Sequence, residues 1–561
     1  MSKIIQQIND PDITLYDAVA YHALHNPYRT AFVYQDKTLN FRELINKIDQ
    51  HAAFLESVGI TAGTKVCLCL PNSPAFTFLF YAINKLGAVS VPCNPKETCY
   101  ELCEKLIAAD CEALFFLDIF AETIEKTVSL FEKNASKKLK ICCAVPLSDF
   151  LPLPFKIGAN ITSSKYKINI ANIKKQYKQS FYRYGDILKQ KRSLDYTFDS
   201  PHSPAVLLFS GGTTGLPKAV VHSSYTINSA VTACFDIALP ITENETFLAV
   251  LPVFHIFGLI VTFHLPLMIG AKCVLLPSFS SSSCSKAFIK YKPTYMAVVP
   301  AICQKLLEAG IIEKAVKKRL DTSFFKIGFI GGDSIDPLYK DKLNNIIKTG
   351  GGNGFFEVGY GLTEICPVSL NRTTNDTQGS VGFPFGDIKI KIIDSEKNLC
   401  GYNEIGEICL LSKATFLGYY KDAAETKKAL VTHGDGFEWF HTGDMGFVDQ
   451  NGTLCFSYRA KKILKIGGNT VLATVIEDCI IKLPFVQNAF AANINGILTA
   501  YVIVEKSELE QHKNDGGDKV KSHCAVYLSK THVPKDVIIC TMADIPVNTL
   551  GKISFGRLGE V

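Results

Sequence analysis

The chain has 561 residues, 47% of them hydrophobic and 20% charged, with 39 Gly, 24 Pro and a formal net charge of +6. That apolar share excludes a mainly disordered chain, and ordinary Gly and Pro usage excludes collagen-like and low-complexity classes. The mild basic excess is spread over lysines with no arginine-rich arm, so nucleic acid is not implied as a partner. The 19 cysteines include no C-x-x-C pair, which argues against a zinc ribbon or a thioredoxin-like site. MSKIIQQINDPD lacks the apolar stretch of a secretory signal, and an odd cysteine count then reads as free thiols in a reducing cytosol.

In chain order, TLNFRELINKIDQHAAFLESVGI has apolar residues recurring at three and four and predicts an amphipathic helix. KVCLCLPNS predicts a strand ended by Pro71 and Asn72, AFTFLFYAINKLGAV a helix, and SVPCNP the next strand. Strands separated by helices of this length argue for βαβ units and a largely parallel sheet. SKYKINIANIKKQYKQSFYRYGDILKQKR is rich in Lys, Arg and Tyr and is spaced as one helix. It reads either as a solvated surface helix or as a basic face for anionic lipid or a CoA phosphate, which would give peripheral membrane contact. Residues 247–271 carry no formal charge and are long enough to cross a bilayer, but they contain Pro252, Pro266, His255 and His264. The preferred reading is a strand, a loop carrying His255, and a buried helix.

The strongest local signal is LLFSGGTTGLPKAVVHS, residues 207–223. An apolar strand runs into Ser210, Gly211, Gly212, Thr213, Thr214 and Gly215, and Lys218 follows. Glycines let backbone amides approach an anion, the threonines add hydroxyl donors, and the lysine adds a point charge, a set suited to polyphosphate. The Walker spacing is absent, and read alone the turn could equally be a plain loop. Downstream come FIGGDS (329–334), GYGLTE (359–364), FHTGD (440–444), YRAKKILKIGGN (458–469) and PVNTLGK (546–552).

These ordered motifs, with LPNSPAF and KLGAVSVPCNP upstream, resemble the adenylate-forming (AMP-binding) superfamily of acyl- and aryl-CoA synthetases, luciferases and peptide adenylation domains. The resemblance covers nearly the whole chain. It implies an α/β fold: a large N-terminal domain, 1–458, with parallel sheets, helices and a small β-barrel portion, and a small mobile C-terminal α/β domain, 459–561. It implies that Ser210 to Gly215 with Lys218 cover the ATP triphosphate. Gly332, Asp333 and Ser334 would flank adenine, with Tyr360 and Gly361 on its other face. Thr363 would contact the α-phosphate and Glu364 would be the Mg2+ ligand. Asp444 would hold the ribose hydroxyls with Arg459 assisting, and Lys552 would be the catalytic lysine of adenylation.

A carboxylate attacking the α-phosphorus is an anion approaching an anion, so such a lysine has an electrostatic role. The implied second step passes the acyl group to CoA after the small domain swings about Lys462, bringing Lys465, Gly467 and Gly468 to the site. His255, in LPVFHIFGL, stands where amino-acid-activating relatives carry Asp, and an unpaired buried ammonium would be costly. Its own alternatives are a gate beside the carboxylate and a hydrogen-bonded core histidine. Phe254, Phe257 and Leu259 suit a hydrocarbon tail. The GGTTG loop and AVPLSDFLP lean toward long-chain fatty acid–CoA ligases, with medium-chain or aryl acids as the runner-up. Departures from the family pattern are Gly211, Ala219, Tyr458, Lys462, Ala473 and Val475. Four of them, Tyr458, Lys462, Ala473 and Val475, fall in or beside the segment that the resemblance gives to the second step. A carrier-protein loader, a luciferase-like monooxygenase and a non-catalytic nucleotide or lipid binder are the competing classes.

Overall fold

The structure, a computed structural model, describes residues 10–546 and 558 except 136–137, 151–160, 178–179, 190–197, 199, 211–217, 237–240, 334, 372–378, 460–462, 467–468 and 495. Local chemistry sets the early helices. Asn40 and Glu43 form a reciprocal capping box that starts the helix Phe41–Ser57, and Thr98 with Glu101 does the same for Cys99–Ala108. Ser73 accepts from the Phe76 amide and Pro74 fills the first turn of Pro74–Lys85, a helix whose every residue is buried. The expected helix at 38–60 is shorter at its start, because Lys37–Asn40 pair as a strand with Thr30–Tyr34.

Two large sheets carry the molecule. In the first, Pro204–Phe209, Val89–Pro92, Lys65–Cys69, Ala113–Leu117, Ile141–Val145 and Phe181–Arg183 are parallel neighbours. Ala219–Ser223 and Gly418–Tyr419 add antiparallel strands at its other edge. Ala113–Leu117 and Ile141–Val145 are buried throughout, which is why they read as unbroken apolar runs. In the second sheet a parallel set, Lys272–Leu275, Thr246–Ala249, Tyr295–Val298, Ile327–Ile330 and Phe355–Leu362, continues into antiparallel strands from Ile365–Leu370 to Lys389–Ile393. This antiparallel run stands where the small barrel was expected. Among the described residues its ladder is open at Lys389–Ile393.

The basic segment 164–192 departs from its predicted single helix. It forms the helix Lys167–Tyr177, the edge strand Phe181–Arg183 and the short helix Tyr184–Leu188. Tertiary pairing overrides the spacing here: the strand docks on Ile141–Val145, and the Tyr184 hydroxyl donates to His51 Nε2 at 2.7 Å. Asn169, Asn172 and Gln176 donate to Glu125 and Glu132, so part of the polar face is spent on the neighbouring helix. Residues 247–271 follow the preferred reading. Thr246–Ala249 is a strand, His255 lies in the turn after it, and a buried π-helical stretch Gly258–His264 leads into Leu265–Met268. A Cβ on Gly258 would lie 2.4 Å from the Pro252 carbonyl oxygen, so glycine is required at this turn. His264 bonds Tyr81 and Asn228, each at 2.9 Å, as a satisfied core histidine. No helix among the described residues is long and apolar enough to cross a membrane.

Beyond residue 462 the chain builds its own layers. Ile463–Ile466 and Asn469–Leu472 form a hairpin, and Asn488–Ile494, Ile497–Ile503 and Asp536–Cys540 form a separate three-stranded sheet. Val471, Ile476, Ile480, Val502 and Val520 pack in a cluster distinct from the main core. Leu558 is fully buried, and its carbonyl accepts from the Tyr501 hydroxyl at 2.7 Å.

Candidate active site

Ser210 and Lys218 close the neck of the Gly/Thr loop. The Ser210 amide donates to the Lys218 carbonyl at 3.0 Å, at the end of the hairpin formed by Pro204–Phe209 and Ala219–Ser223. Beneath the neck, the ammonium of Lys105 lies 5.3 Å from the Phe209 ring centre and pairs with Glu97, both buried. Lys218 Nζ meets Glu425 Oε2 at 2.5 Å and lies 4.6 Å from the centre of the Tyr419 ring. Glu425, hydrogen-bonded first by Lys218 and then by Lys428, has its carboxyl held down to about 2.

GYGLTE is the end of one strand and a tight turn. Phe355–Leu362 folds back on Ile365–Leu370 with Leu362 opposite Ile365, which puts Thr363 and Glu364 at the tip. Gly359 is needed because a Cβ there would be 2.9 Å from the Ser369 carbonyl oxygen. The turn is held from three sides. His222 Nε2 donates to the Thr363 carbonyl at 2.8 Å, the Phe416 amide donates to the Glu364 carbonyl at 3.0 Å, and the Tyr419 hydroxyl donates to Glu364 Oε1 at 2.8 Å. Burial holds the His222 ring down to about 4, so it is the neutral tautomer protonated at Nε2. Burial and then the Glu364 charge push the Tyr419 hydroxyl up, which keeps it a donor. Tyr419 thus joins Lys218 to Glu364, two residues far apart in sequence. The sequence reading missed it, although the aromatic pair in FLGYYKD was visible; its pairing with Val220 was not.

On the other side of the turn, Tyr360 donates its hydroxyl to Asp444 Oδ2 at 2.7 Å. Asp444 is buried, on the strand Glu438–Val448, and its amide donates to Thr442 Oγ1 at 3.0 Å. Asp444 lies directly opposite Arg459 in the ladder with Leu454–Arg459. The Tyr360 ring lies against Phe456, with centres 6.1 Å apart. Gly332 has a φ of +87° just past the strand Ile327–Ile330, followed by exposed Asp333. The Phe257 ring packs on the same strand end, 3.2 Å from where a Gly331 Cβ would stand. His255 is half-buried beside the Phe254 ring, 4.8 Å between centres. Leu259 is fully buried in the main core.

Gly361 sits between Tyr360 and the turn, where a Cβ would be 3.2 Å from Cys366 Sγ. Gly211, Gly212, Thr213, Thr214, Gly215, Ser334, Lys462, Gly467, Gly468 and Lys552 lie outside the described residues. Of Arg459 and Lys465 only the backbone is described, Lys465 opposite Thr470 in its hairpin.

The site therefore gathers a cation, Lys218, a carboxylate at a turn, Glu364, and a buried carboxylate, Asp444, around the ends of two sheets. The AMP-binding enzyme family matches residues 19–420, most of the chain. The chain belongs to the AMP-binding enzyme family. A long-chain-fatty-acid–CoA ligase of Bacillus subtilis (strain 168) is 27% identical over 98% of this chain and 95% of that protein. 4-Coumarate–CoA ligase 4 of Arabidopsis thaliana is 26% identical over 92% of this chain and 85% of that protein. Among solved structures, O-succinylbenzoate coenzyme A synthetase from Bacillus subtilis in complex with AMP aligns with a TM-score of 0.76 at 19% identity, covering 97% of this chain and 98% of that one. Mycobacterium tuberculosis fatty acyl CoA synthetase aligns with a TM-score of 0.69 at 20% identity, covering 98% of each. These two structural likenesses speak for the α/β fold of AMP-binding enzymes.

Proposed function

We propose that the protein activates a carboxylic acid with ATP and transfers the acyl group to the thiol of CoA. In the first step a carboxylate oxygen attacks the α-phosphorus, forming the acyl-adenylate as the bond to pyrophosphate breaks. In the second, the CoA sulfur attacks the acyl carbon, AMP leaves, and the thiol proton goes to solvent. The observation that carries this reading is the line Lys218–Tyr419–Glu364, which sets a cation and a carboxylate on one tyrosine beside the buried Tyr360–Asp444 pair.

Lys218 and the Gly/Thr loop would hold the β- and γ-phosphates, Thr363 the α-phosphate, and Asp444 with Arg459 the ribose hydroxyls. A carboxylate has acceptor capacity for several donors, so Asp444, which takes the Tyr360 hydroxyl, suits ribose hydroxyls as well. Gly332, Asp333 and Ser334 would border adenine opposite Tyr360. Mg2+ is held by one or two carboxylates together with substrate phosphates, and the single carboxylate of Glu364 at the turn tip fits that donor set. Bound there, it would neutralise phosphate charge. Lys552 would bridge the incoming carboxylate and the α-phosphate.

We further propose that residues 459–561 act as a lid. They would present Lys552 for adenylation and the hairpin around Lys465, Gly467 and Gly468 for thioester formation. The separate cluster around Val471 and Val502 and the burial of Leu558 support an independent unit here.

For the acid, we favour a fatty acid, supported by Phe254 and Phe257 flanking His255 and by the fatty-acid ligase among the relatives. Aryl acids are the second reading, because 4-coumarate ligases match at similar identity. The test is pyrophosphate release with Mg-ATP and a panel of alkyl and aryl acids, with and without CoA. Release rising with alkyl chain length and needing CoA for turnover supports the reading. Activity confined to aryl acids selects the second, turnover without CoA points to a carrier protein, and no release with any acid overturns both.

A further inference from the structure

Three residues before Asp444 on the same strand, His441 and two further side chains with soft or borderline donor atoms converge on one face of the antiparallel run. Cys409 lies on the strand Gly406–Leu411, directly opposite His441 on Glu438–Val448. His433 follows the strand Leu430–Thr432, and the turn after it, closed by the His433 amide on the Phe437 carbonyl at 3.0 Å, brings its ring over the same place. The ligating atoms of Cys409, His433 and His441 all lie within 4.8 Å of one another, and the two Nε2 atoms are 2.9 Å apart.

Around these atoms lies an orienting carboxylate. Nδ1 of His441 donates to Glu407 Oε2 at 2.9 Å, which leaves the lone pair of Nε2 facing Cys409 and His433. The other Glu407 oxygen accepts from the Gly443 amide at 3.0 Å, so this orienting carboxylate is fixed at both ends. The His433 ring stacks on buried Trp439, 5.8 Å between centres. The Trp439 indole in turn donates to Asp435, which pairs with Lys391. Tetrahedral Zn2+ asks for about 3.3 Å between two imidazole nitrogens and about 3.5 Å between sulfur and nitrogen. The two nitrogens, 2.9 Å apart, are close to that spacing, and the sulfur lies within 4.8 Å of both. A hydrogen bond between the two imidazoles accounts for their own contact; Cys409 packs with Ile393 and Trp439, and its sulfur also faces both rings.

We propose that Cys409, His433 and His441 form a binding site for a divalent transition metal of the Zn2+ class, with Glu407 orienting His441 and a fourth position open to water. One sulfur and two imidazole nitrogens favour Zn2+ or Co2+ over the hard cations Mg2+ and Ca2+. Binding displaces the thiol proton of Cys409 to solvent and leaves a thiolate on the metal. The site is independent of the proposed Mg2+ position at Glu364 and does not rest on the ligase reading.

The test uses full-length protein treated with chelator and titrated with Co2+, followed by absorption. The expected result is one equivalent of tightly bound metal with visible d–d bands and a thiolate-to-cobalt charge-transfer band in the near ultraviolet, all displaced by Zn2+. Cys409→Ser should abolish the charge-transfer band, His433→Gln should lose the tetrahedral d–d bands, and Glu407→Gln should weaken binding about 10- to 100-fold. Melting of each variant without metal reports folding; if Cys409→Ser does not fold, His433→Gln at the hairpin end and Glu407→Gln carry the test. No cobalt spectrum in the parent protein, or a spectrum unchanged in these variants and therefore due to other thiols, would overturn the proposal.

Discussion

The Tyr419 hydroxyl donates to Glu364 Oε1 at 2.8 Å while the Lys218 ammonium stands 4.6 Å from the centre of the same ring. One side chain thus spaces the cation expected at the triphosphate from the carboxylate expected at the metal. A hydrogen bond to a charged group contributes about 1.5–3 kcal/mol, and its loss here would fall on the orientation of Glu364. Tyr419→Phe keeps the ring under Lys218 and removes only the hydroxyl. It should lower kcat/KM for Mg-ATP by roughly 10- to 100-fold and raise the Mg2+ concentration needed for half-maximal rate. An unchanged Mg2+ requirement would separate Tyr419 from the metal position.

Lys218 is paired with Glu425 at 2.5 Å in this structure, and each side chain is about one-third exposed. The same ammonium cannot serve Glu425 and a triphosphate with full strength at once. Glu425→Gln should therefore lower KM for ATP, by no more than about fivefold because solvent-accessible ion pairs contribute only about 0–1 kcal/mol. Lys218→Met should move KM for ATP in the opposite direction and leave KM for the acid nearly unchanged. Steady-state kinetics with each substrate varied in turn distinguish the two.

Tyr360 serves Asp444 as well as any nucleotide base, since its hydroxyl donates to Asp444 Oδ2 at 2.7 Å. Tyr360→Phe keeps the aromatic face and deprives a buried carboxylate of a donor. KM for ATP should rise by roughly 10- to 100-fold, as loss of a hydrogen bond to a charged group costs about 1.5–3 kcal/mol. Asp444→Asn should in addition reduce the preference for ATP over its 2′- and 3′-deoxy analogues. If the analogues stay equally discriminated, Asp444 is not the ribose contact.

The βαβ order was legible because buried parallel strands and their caps leave strong local patterns, as at Lys65–Cys69 and Ser73. The resemblance gave Asp444 and Arg459 to one ribose, and the antiparallel register sets their backbones opposite each other. What the sequence could not show were side chains made important by distant pairing. Tyr419 matters through an edge strand of two residues, and Glu425 through a short helix beside it. His222 lies near the end of the strand Ala219–Ser223, and its buried ring fixes the Thr363 carbonyl of the other large sheet. The 164–192 segment misled for the same reason: its spacing is helical, but Phe181 and Tyr184 are claimed by the sheet edge and by His51. Cys409 and His433 are separated along the chain and meet only through strand register.

The buried histidines set an acid limit on the fold. Burial holds His51 and His222 down to about 4 and His264 to about 3, against an ordinary 6.5. Each ring is neutral in the folded protein and supplies specific bonds: His51 to Tyr184, His222 to the Thr363 carbonyl, His264 to Tyr81 and Asn228. As pH falls below 6.5 the unfolded chain takes up protons at these positions and the native chain does not, so their contribution, complete above 6.5, is lost progressively toward pH 4. Each ring should cost about 1.4 kcal/mol of stability per pH unit through that window. Melting temperature should fall steeply and continuously from pH 6.5 to 4. His51→Gln should show a shallower slope than the parent protein, whatever its stability at neutral pH. Because His222 holds the Glu364 turn and stays neutral while the chain is folded, adenylate formation, assayed by pyrophosphate release, should persist wherever the protein remains folded and fail as pH approaches 4. A melting temperature flat across this range would mean that these rings are not held neutral in the core.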